Sequence, residues 1–197
     1  MSPPAADARS DEDLMLAYSA GDARAFDTLY QRHRGWLYRT LSRQLGDSGR
    51  ADDVFQDTWY ALIRSAGNYE PRARFTTWLY LLARQRLVDH WRRHDPAEQP
   101  LTFNDDGEPG DDDVLAALVD ERADPARDAQ RRELAARLVA AIGELPAPQR
   151  EALLLAEEAD MSLDEIAVAT GSDREAVKSR LRYARAKLAR ALTEFRE

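Results

Sequence analysis

Apolar residues in this chain recur at steps of three and four, and nowhere do they alternate with polar ones as a half-buried strand requires. Leu14, Leu16, Ala17, Phe26, Leu29, Tyr30, Leu37, Tyr38, Leu41 and Leu45 carry the helical period through the first part of the chain. Val177, Leu181, Ala184 and Leu188 carry it near the end, at steps of four, three and four. A chain with this period alone must bury helix stripes against helix stripes, so an all-α fold is predicted. Turn residues punctuate the pattern at Gly21-Asp22 and at Gly46-Asp47-Ser48-Gly49. Further helices are predicted over 52–65 and 75–93, with Gly67-Asn68-Tyr69-Glu70-Pro71 as a loop between them. The period resumes near Pro125, with breaks at Gly143 and at Pro146 and Pro148.

Residues 95–129 separate the two periodic blocks and are rich in Asp, Pro, Gly and Ala. The run 104–113 is nearly all Asp, Glu, Gly and Pro, and it cannot bury enough apolar surface to offset its ordering entropy. The predicted organisation is therefore two small helical domains joined by a flexible acidic linker. Residues 1–10 form a disordered tail, 11–94 an N-terminal helical bundle, 95–129 the linker, and 130–197 a C-terminal helix-turn-helix domain. A net charge of −8 argues against a nucleic-acid partner until it is divided along the chain. Residues 1–96 carry fourteen Arg against thirteen acids, and residues 131–197 carry twelve groups of each sign. Residues 97–130 carry two Arg against eleven acids, so the acidity belongs to the linker. Each flanking block keeps a concentrated basic stretch, and local clusters steer DNA better than net charge predicts.

The sharpest local motif lies over 148–192. A helix over 148–158 carries Leu153, Leu154 and Leu155. Ser162-Leu163-Asp164-Glu165 reads as a capping box that opens a second helix over 163–170, with Ile166 and Ala167 facing inward. Gly171 supplies the turn, and Ser172-Asp173-Arg174-Glu175 reads as a second capping box that opens a third helix. From Arg174 to Arg190 that helix has seven basic groups and one acid, Glu175. A solvated bundle helix would balance its charges better than this. A short helix, a Gly turn and a longer basic helix match the helix-turn-helix plan, whose second helix enters the major groove.

Two stretches of the first block carry the rest. Over 52–64, Phe55, Thr58, Trp59 and Leu62 can face a core, which leaves Asp53, Gln56, Asp57 and Tyr60 on a polar outer face. Chemistry alone reads that face as a capped surface helix. From Arg72 to Arg93 there are six Arg and one acid, interleaved with Phe75, Trp78, Tyr80 and Trp91, and Tyr69 just precedes them. Aromatic faces stack on unpaired bases at about 1–3 kcal/mol each, while Arg follows the backbone. Trp78, Leu79, Leu82 and Trp91 are assigned to the core. Arg72, Arg74, Arg84, Arg92 and Arg93 have no acidic partner evident in the sequence and are assigned to phosphate.

Together these pieces resemble the small bacterial sigma factors of the extracytoplasmic-function (ECF) group, in the sigma-70 family. The phrases are Ala51-Asp-Asp-Val-Phe-Gln-Asp-Thr-Trp59, Phe75-Thr-Thr-Trp-Leu79, Asp89-His-Trp-Arg-Arg93 and Leu145-Pro-Ala-Pro-Gln-Arg-Glu151. Ser162-Leu-Asp-Glu-Ile-Ala167 and Val177-Lys-Ser-Arg-Leu-Arg-Tyr-Ala-Arg-Ala-Lys-Leu188 complete the set. The resemblance covers about 11–94 (region 2) and 130–192 (region 4). It implies that Asp53, Gln56, Asp57 and Ile63 dock on the β′ clamp of core RNA polymerase. It implies −10 recognition and melting by Asn68, Tyr69, Arg72, Arg74, Phe75, Arg84, Gln85, Arg92 and Arg93, with a flipped base held near 68–75. Gln85 departs from the Asn that family members often have there. Region 4, seated on the β flap, is implied to read the −35 element through Ser172, Arg174, Lys178, Ser179, Arg180, Arg182 and Arg185. The linker is implied to thread towards the polymerase active-site and RNA-exit channels, and an anti-sigma factor is an expected partner.

No enzyme, cofactor or metal site is expected. No nucleophile, base and orienting acid group together in any motif. His90 and His94 are four apart but lack further ligands, and a surface pair is the expected reading. The acidic run lacks EF-hand spacing. The absence of cysteine excludes disulfides and fits a reducing cytosol, and neither a signal peptide nor a membrane-inserted helix is expected. Two other readings stay open on residue chemistry alone: a helix-turn-helix regulator acting apart from polymerase, and an all-helical adaptor binding only protein.

Overall fold

The computed structural model describes residues 7–94 and 125–193. Residues 1–6 of the expected tail, and 95–124 of the expected linker, lie outside the described residues. The described chain is all-α. Its helices are α1 (Asp11–Ser19), α2 (Ala23–Leu45), α3 (Ser48–Ser65), α4 (Phe75–His94), α5 (Pro125–Gly143), α6 (Ala147–Glu158), α7 (Leu163–Thr170) and α8 (Arg174–Thr193). A 3₁₀ turn, Ala66–Asn68, follows α3. Contacts divide the chain into two compact units, one built from α1 to α4 and the other from α5 to α8.

In the first unit α3 packs on α4, and α1 lies across the 3₁₀ turn and α4. Leu14, Met15, Leu29, Leu37, Leu41, Leu62, Leu79 and Leu87 are fully buried. Aromatic rings join α2 to α3 edge-on: Tyr30 meets Trp59 at 4.9 Å, Phe26 meets Trp59 at 5.8 Å and Tyr38 meets Phe55 at 5.5 Å between centroids. α3 begins four residues before the predicted start. Gly46 turns the chain at φ 66°, and the Asp47 side chain then accepts from the Arg50 amide at 2.8 Å. That cap draws Ser48 and Gly49 into the helix, where turn chemistry had placed them in a loop.

A polar clip fastens α1 to the rest of this unit. Ser10 caps α1 by accepting from the Asp13 amide at 3.1 Å. The Asp11 carboxylate meets His33 Nε2 at 2.7 Å and accepts from Arg32 Nη1 at 2.6 Å. His33 is buried, and its Nδ1 accepts from Trp36 Nε1 at 2.9 Å. An indole N–H only donates, so Nδ1 must be bare and the ring proton sits on Nε2, facing Asp11. Burial raises the Asp11 pKa, but the His33 and Arg32 hydrogen bonds outweigh that and hold it below the ordinary carboxylate value. Residues 7–10, assigned to the tail, take part in this clip: Arg32 also donates to the Asp7 and Arg9 carbonyls. One residue along, Glu12 Oε1 accepts from the Phe75 amide at 2.7 Å and so caps α4 from 63 positions away.

In the second unit α5, α6 and α7 each pack on α8. Leu145, Leu153, Leu154, Leu155, Met161, Ile166 and Leu181 are buried there. Arg150 Nη2 donates to the Gly143 and Leu145 carbonyls, both at 2.9 Å, and so closes the end of α5. The Ser162 capping box forms as predicted, and Gly171 ends α7 in the left-handed region at φ 67°. Ala169 and Thr170 join Ile166 inside, whereas Ala167 is only half-buried. The steps of three and four from Ile166 select them over its immediate neighbour.

Replacing Asp11 with Ala strands a buried His33 N–H and is expected to destabilise the first unit by about 1–3 kcal/mol near neutral pH. All four tryptophans lie in this unit, so urea unfolding followed by tryptophan fluorescence reports it alone. A carboxylate with a depressed folded pKa stabilises above its unfolded pKa of about 3.9 and loses that contribution as pH falls below it. The gap between wild type and D11A should therefore narrow below about pH 4 and stay constant above about pH 5.

Candidate functional site

On α3 the expected split between faces is observed. Val54, Thr58, Trp59, Ala61 and Leu62 are buried, and Thr58 spends its hydroxyl on the Val54 carbonyl at 2.7 Å. Asp53, Gln56 and Asp57 are exposed on the other side, with Tyr60 58% and Ile63 42% exposed beside them. Steps of three and four put all five on one strip. Asp52, four residues before Gln56, is exposed at the edge of that strip and hydrogen-bonds Tyr38, whose phenol it raises above the ordinary value. An exposed acid–amide strip with two large apolar groups suits a partner that presents cations around an apolar centre.

The loop and the start of α4 correct part of the expected −10 surface. Asn68, Arg72 and Arg74 are exposed, but Tyr69 is 7% exposed and Phe75 is fully buried. Phe75 packs against His33 at 5.0 Å and Trp78 at 5.9 Å, and Tyr69 packs against Trp78 at 4.7 Å. Rings enclosed in this way have no face left for a base, so Tyr69 and Phe75 support the loop from beneath. Burial, with the nearby Glu12 and Asp11 charges, pushes the Tyr69 phenol up to about 12. Tyr80 is also fully buried. Trp78 and Trp91 stay half-buried, more accessible than the core assignment implies. Arg72 has an acidic partner after all, donating to Glu70 at 2.7 Å. Both groups are exposed, so phosphate can replace that pairing at small cost. Along α4, Gln85, Arg92 and Arg93 are exposed and Arg84 is half-buried. His90 is 5% exposed, so the surface reading is corrected for that residue: the α4 stripe that holds Leu87 and Ala83 takes it inward.

α7, Gly171 and α8 form the helix-turn-helix. Asp173, not Ser172, caps α8: its Oδ1 accepts from the Ala176 amide at 2.7 Å, so the second expected capping box does not form. Arg174, Lys178, Arg182 and Arg185 are exposed at steps of four, four and three, which makes one cationic stripe. Ser172 and Ser179 are half-buried. The Arg182 guanidinium lies 5.2 Å from the Tyr183 ring, which holds the charge over the surface. Tyr183 received no role from sequence reasoning, and only its place beside Arg182 in the chain pointed to one. Arg180 departs from the expected set, being 6% exposed and pointing inward. It lies three residues after Val177 and four before Ala184, so it belongs to the buried stripe. Surface acids pair with the outer cations: Asp164 with Arg174 at 3.5 Å, Glu175 with Lys178 at 3.7 Å and Glu157 with Arg185 at 3.0 Å.

Comparison with known proteins adds to this geometry. The model of sigma-70 region 2 matches residues 29–96, and that of sigma-70 region 4 matches residues 135–188. The ECF RNA polymerase sigma factor SigM of Mycobacterium tuberculosis is 33% identical over 184 residues, which cover 93% of this chain and 85% of SigM. The RNA polymerase sigma-H factor of Pseudomonas aeruginosa is 32% identical over 186 residues, covering 92% and 93% of the two chains. Among solved structures, CnrH in complex with the cytosolic domain of CnrY superposes with a TM-score of 0.65 at 27% identity, over 94% of this chain and 99% of CnrH. The sigma factor RpoE of Bartonella quintana, solved with the anti-sigma factor NepR, shares the fold at a TM-score of 0.62 and 18% identity, over 87% and 98% of the two chains. A region 2 match distinguishes the chain from a regulator that acts apart from polymerase, and a region 4 match from a protein-only adaptor. The chain belongs to the ECF sigma factors of the sigma-70 family, which direct RNA polymerase to promoters.

Proposed function

We propose that the two units divide the work of initiation. The exposed α3 strip of Asp53, Gln56, Asp57 and Ile63 docks on the polymerase β′ clamp, and Tyr60 adds apolar area at its centre. The loop with Asn68, Arg72 and Arg74, together with Arg84, Gln85, Arg92 and Arg93 on α4, engages the −10 element and its opened strand. Within 69–93, Trp78 and Trp91 are the aromatic groups with surface left to offer a base. The second unit lays α8 in the major groove at −35 and reads it through Arg174, Lys178, Ser179 and Arg182, with Arg185 on phosphate. The observation that carries the reading is the pair of exposed cationic faces, one in each unit, on a chain whose net charge is −8.

The protein acts as a binding subunit, and the chemistry belongs to the polymerase. The site of action is the cytoplasm, where polymerase and promoter are; no helix among the described residues is long and apolar enough to cross a membrane. CnrH was solved with the cytosolic domain of CnrY and RpoE with the anti-sigma factor NepR, and an anti-sigma factor is proposed as a further partner here. The acidic segment is proposed to follow the polymerase channel between the two DNA contacts.

Asp57→Arg reverses one charge on an exposed position and should abolish co-purification with core polymerase while leaving thermal unfolding unchanged; retention of normal binding would remove α3 from the docking face. Lys178→Ala and Arg182→Ala should each weaken holoenzyme binding to its promoter by about 1–3 kcal/mol where the side chain reads a base. Where it contacts phosphate, the loss should be uniform across sequences, and the salt slope should fall by about one. Open-complex formation by the holoenzyme on a random promoter library tests the reading as a whole. No open complex with any bacterial core enzyme would overturn it.

A further inference from the structure

We propose that Arg180 is a positioning residue for −35 recognition: it sets the angle of α8 through the Thr170–Ser172 turn and touches no DNA. The inference rests on reading the second unit as the −35 reader. Among the basic residues of α8, Arg180 alone is buried. Its Nη1 lies 3.2 Å from Ser172 Oγ, Ser172 Oγ lies 2.7 Å from Thr170 Oγ1, and Thr170 Oγ1 donates to the Ile166 carbonyl at 2.7 Å. Each hydroxyl has one proton, which gives the chain a direction. Thr170 spends its proton on Ile166, so it accepts from Ser172. Ser172 then has no proton left and accepts from Arg180. A continuous line of donors thus runs from the second turn of α8, through the residue after Gly171, to the backbone of α7.

Two consequences follow. Ser172, expected to contact DNA, has its only proton committed inside the protein. A buried guanidinium is also an expensive way to fill space, since an apolar side chain of similar volume costs less. A guanidinium N–H aimed at one hydroxyl favours a direction that an apolar contact leaves loose. The angle held here is that between α7 and α8, which decides whether Arg174 and Lys178 reach base edges or only phosphates.

The test uses full-length protein in holoenzyme with a bacterial core polymerase. The probes are a promoter fragment selected from a random library by the wild-type holoenzyme and a fragment with a scrambled −35 segment. Failure of the wild-type holoenzyme to select any fragment would strike at the proposed function and not at this inference. Arg180→Met keeps the apolar stem and removes the donors. Its preference for the selected over the scrambled fragment should fall about tenfold or more, with the salt slope unchanged. Ser172→Ala and Thr170→Val break the same line from its other end and should give losses of similar size. The double variant R180M/S172A should lose no more than the worse single one. A salt slope lower by about one in R180M would make Arg180 a phosphate contact and overturn the proposal. Unchanged preference in all three single variants, or strictly additive losses, would overturn it as well. Should R180M fail to fold, S172A and T170V decide alone, and full promoter preference in both would sink the idea.

Discussion

Two adjacent carboxylates at the start of α1 hold the functional end of the first unit together. Asp11 binds His33 and Arg32 on α2, and Glu12 binds the first amide of α4. Neighbouring positions on a helix point about 100° apart, so one turn reaches two different helices. The loop between α3 and α4 lies next to both contacts. Its inner wall is Tyr69 and Phe75, and Phe75 rests on the same His33 that Asp11 orients. Loop position, helix start and histidine tautomer are therefore set by one connected group of atoms. A loop proposed to engage opened DNA would benefit from such a floor, because energy spent ordering it on binding is lost from the binding itself.

The second unit uses the same device at its own joint. There a buried cation, Arg180, links α8 to the turn after α7 through two hydroxyls. In both units a charged group near a helix junction is hydrogen-bonded outside its own helix, Asp11 to α2 and Arg180 to the turn after α7. Apolar packing gives most of the stability but little directional preference. Buried polar contacts add little net stability and a strong penalty for misalignment. The combination suits a protein whose two cationic faces are each needed at a defined angle.

Much of this was legible in the sequence because helices declare themselves through spacing. The span of α7 and its capping box follow from Ser162, Glu165 and Gly171, all local signals. The outer strip of α3 follows from steps of three and four around Thr58 and Leu62. Arg180 was legible too, since Val177 and Ala184 place it on the buried stripe, but its charge argued for the surface and won. The burial of Tyr69 and Phe75 had no local signal, because it depends on Glu12 and His33, which α1 and α2 bring to them. The Asp11–His33 and Glu12–Phe75 contacts join positions 22 and 63 apart, beyond any periodicity. Arg and aromatic side chains alternating along 69–93 suggested a nucleic-acid face, but three of the rings, Tyr69, Phe75 and Tyr80, are buried.

Charge distribution explains how an acidic chain reads an acidic polymer. Salt screens charge beyond about 8 Å at physiological ionic strength, so a phosphate responds to the nearest side chains and not to the net charge. Along α8 those side chains are the cations of the exposed stripe. Their acidic neighbours Asp164, Glu157 and Glu175 pair with them at 3.0 to 3.7 Å. Every group in these pairs is at least 43% exposed, so each pair contributes little stability. On the proposed reading of α8 they would compete with phosphate, and that competition would weaken random DNA and promoter DNA alike. Specific base contacts must then supply the difference, so sequence decides where the protein stays. A stripe of unopposed cations would bind more tightly and discriminate less, which is the wrong balance for a subunit that has to find a few promoters among a genome of phosphates.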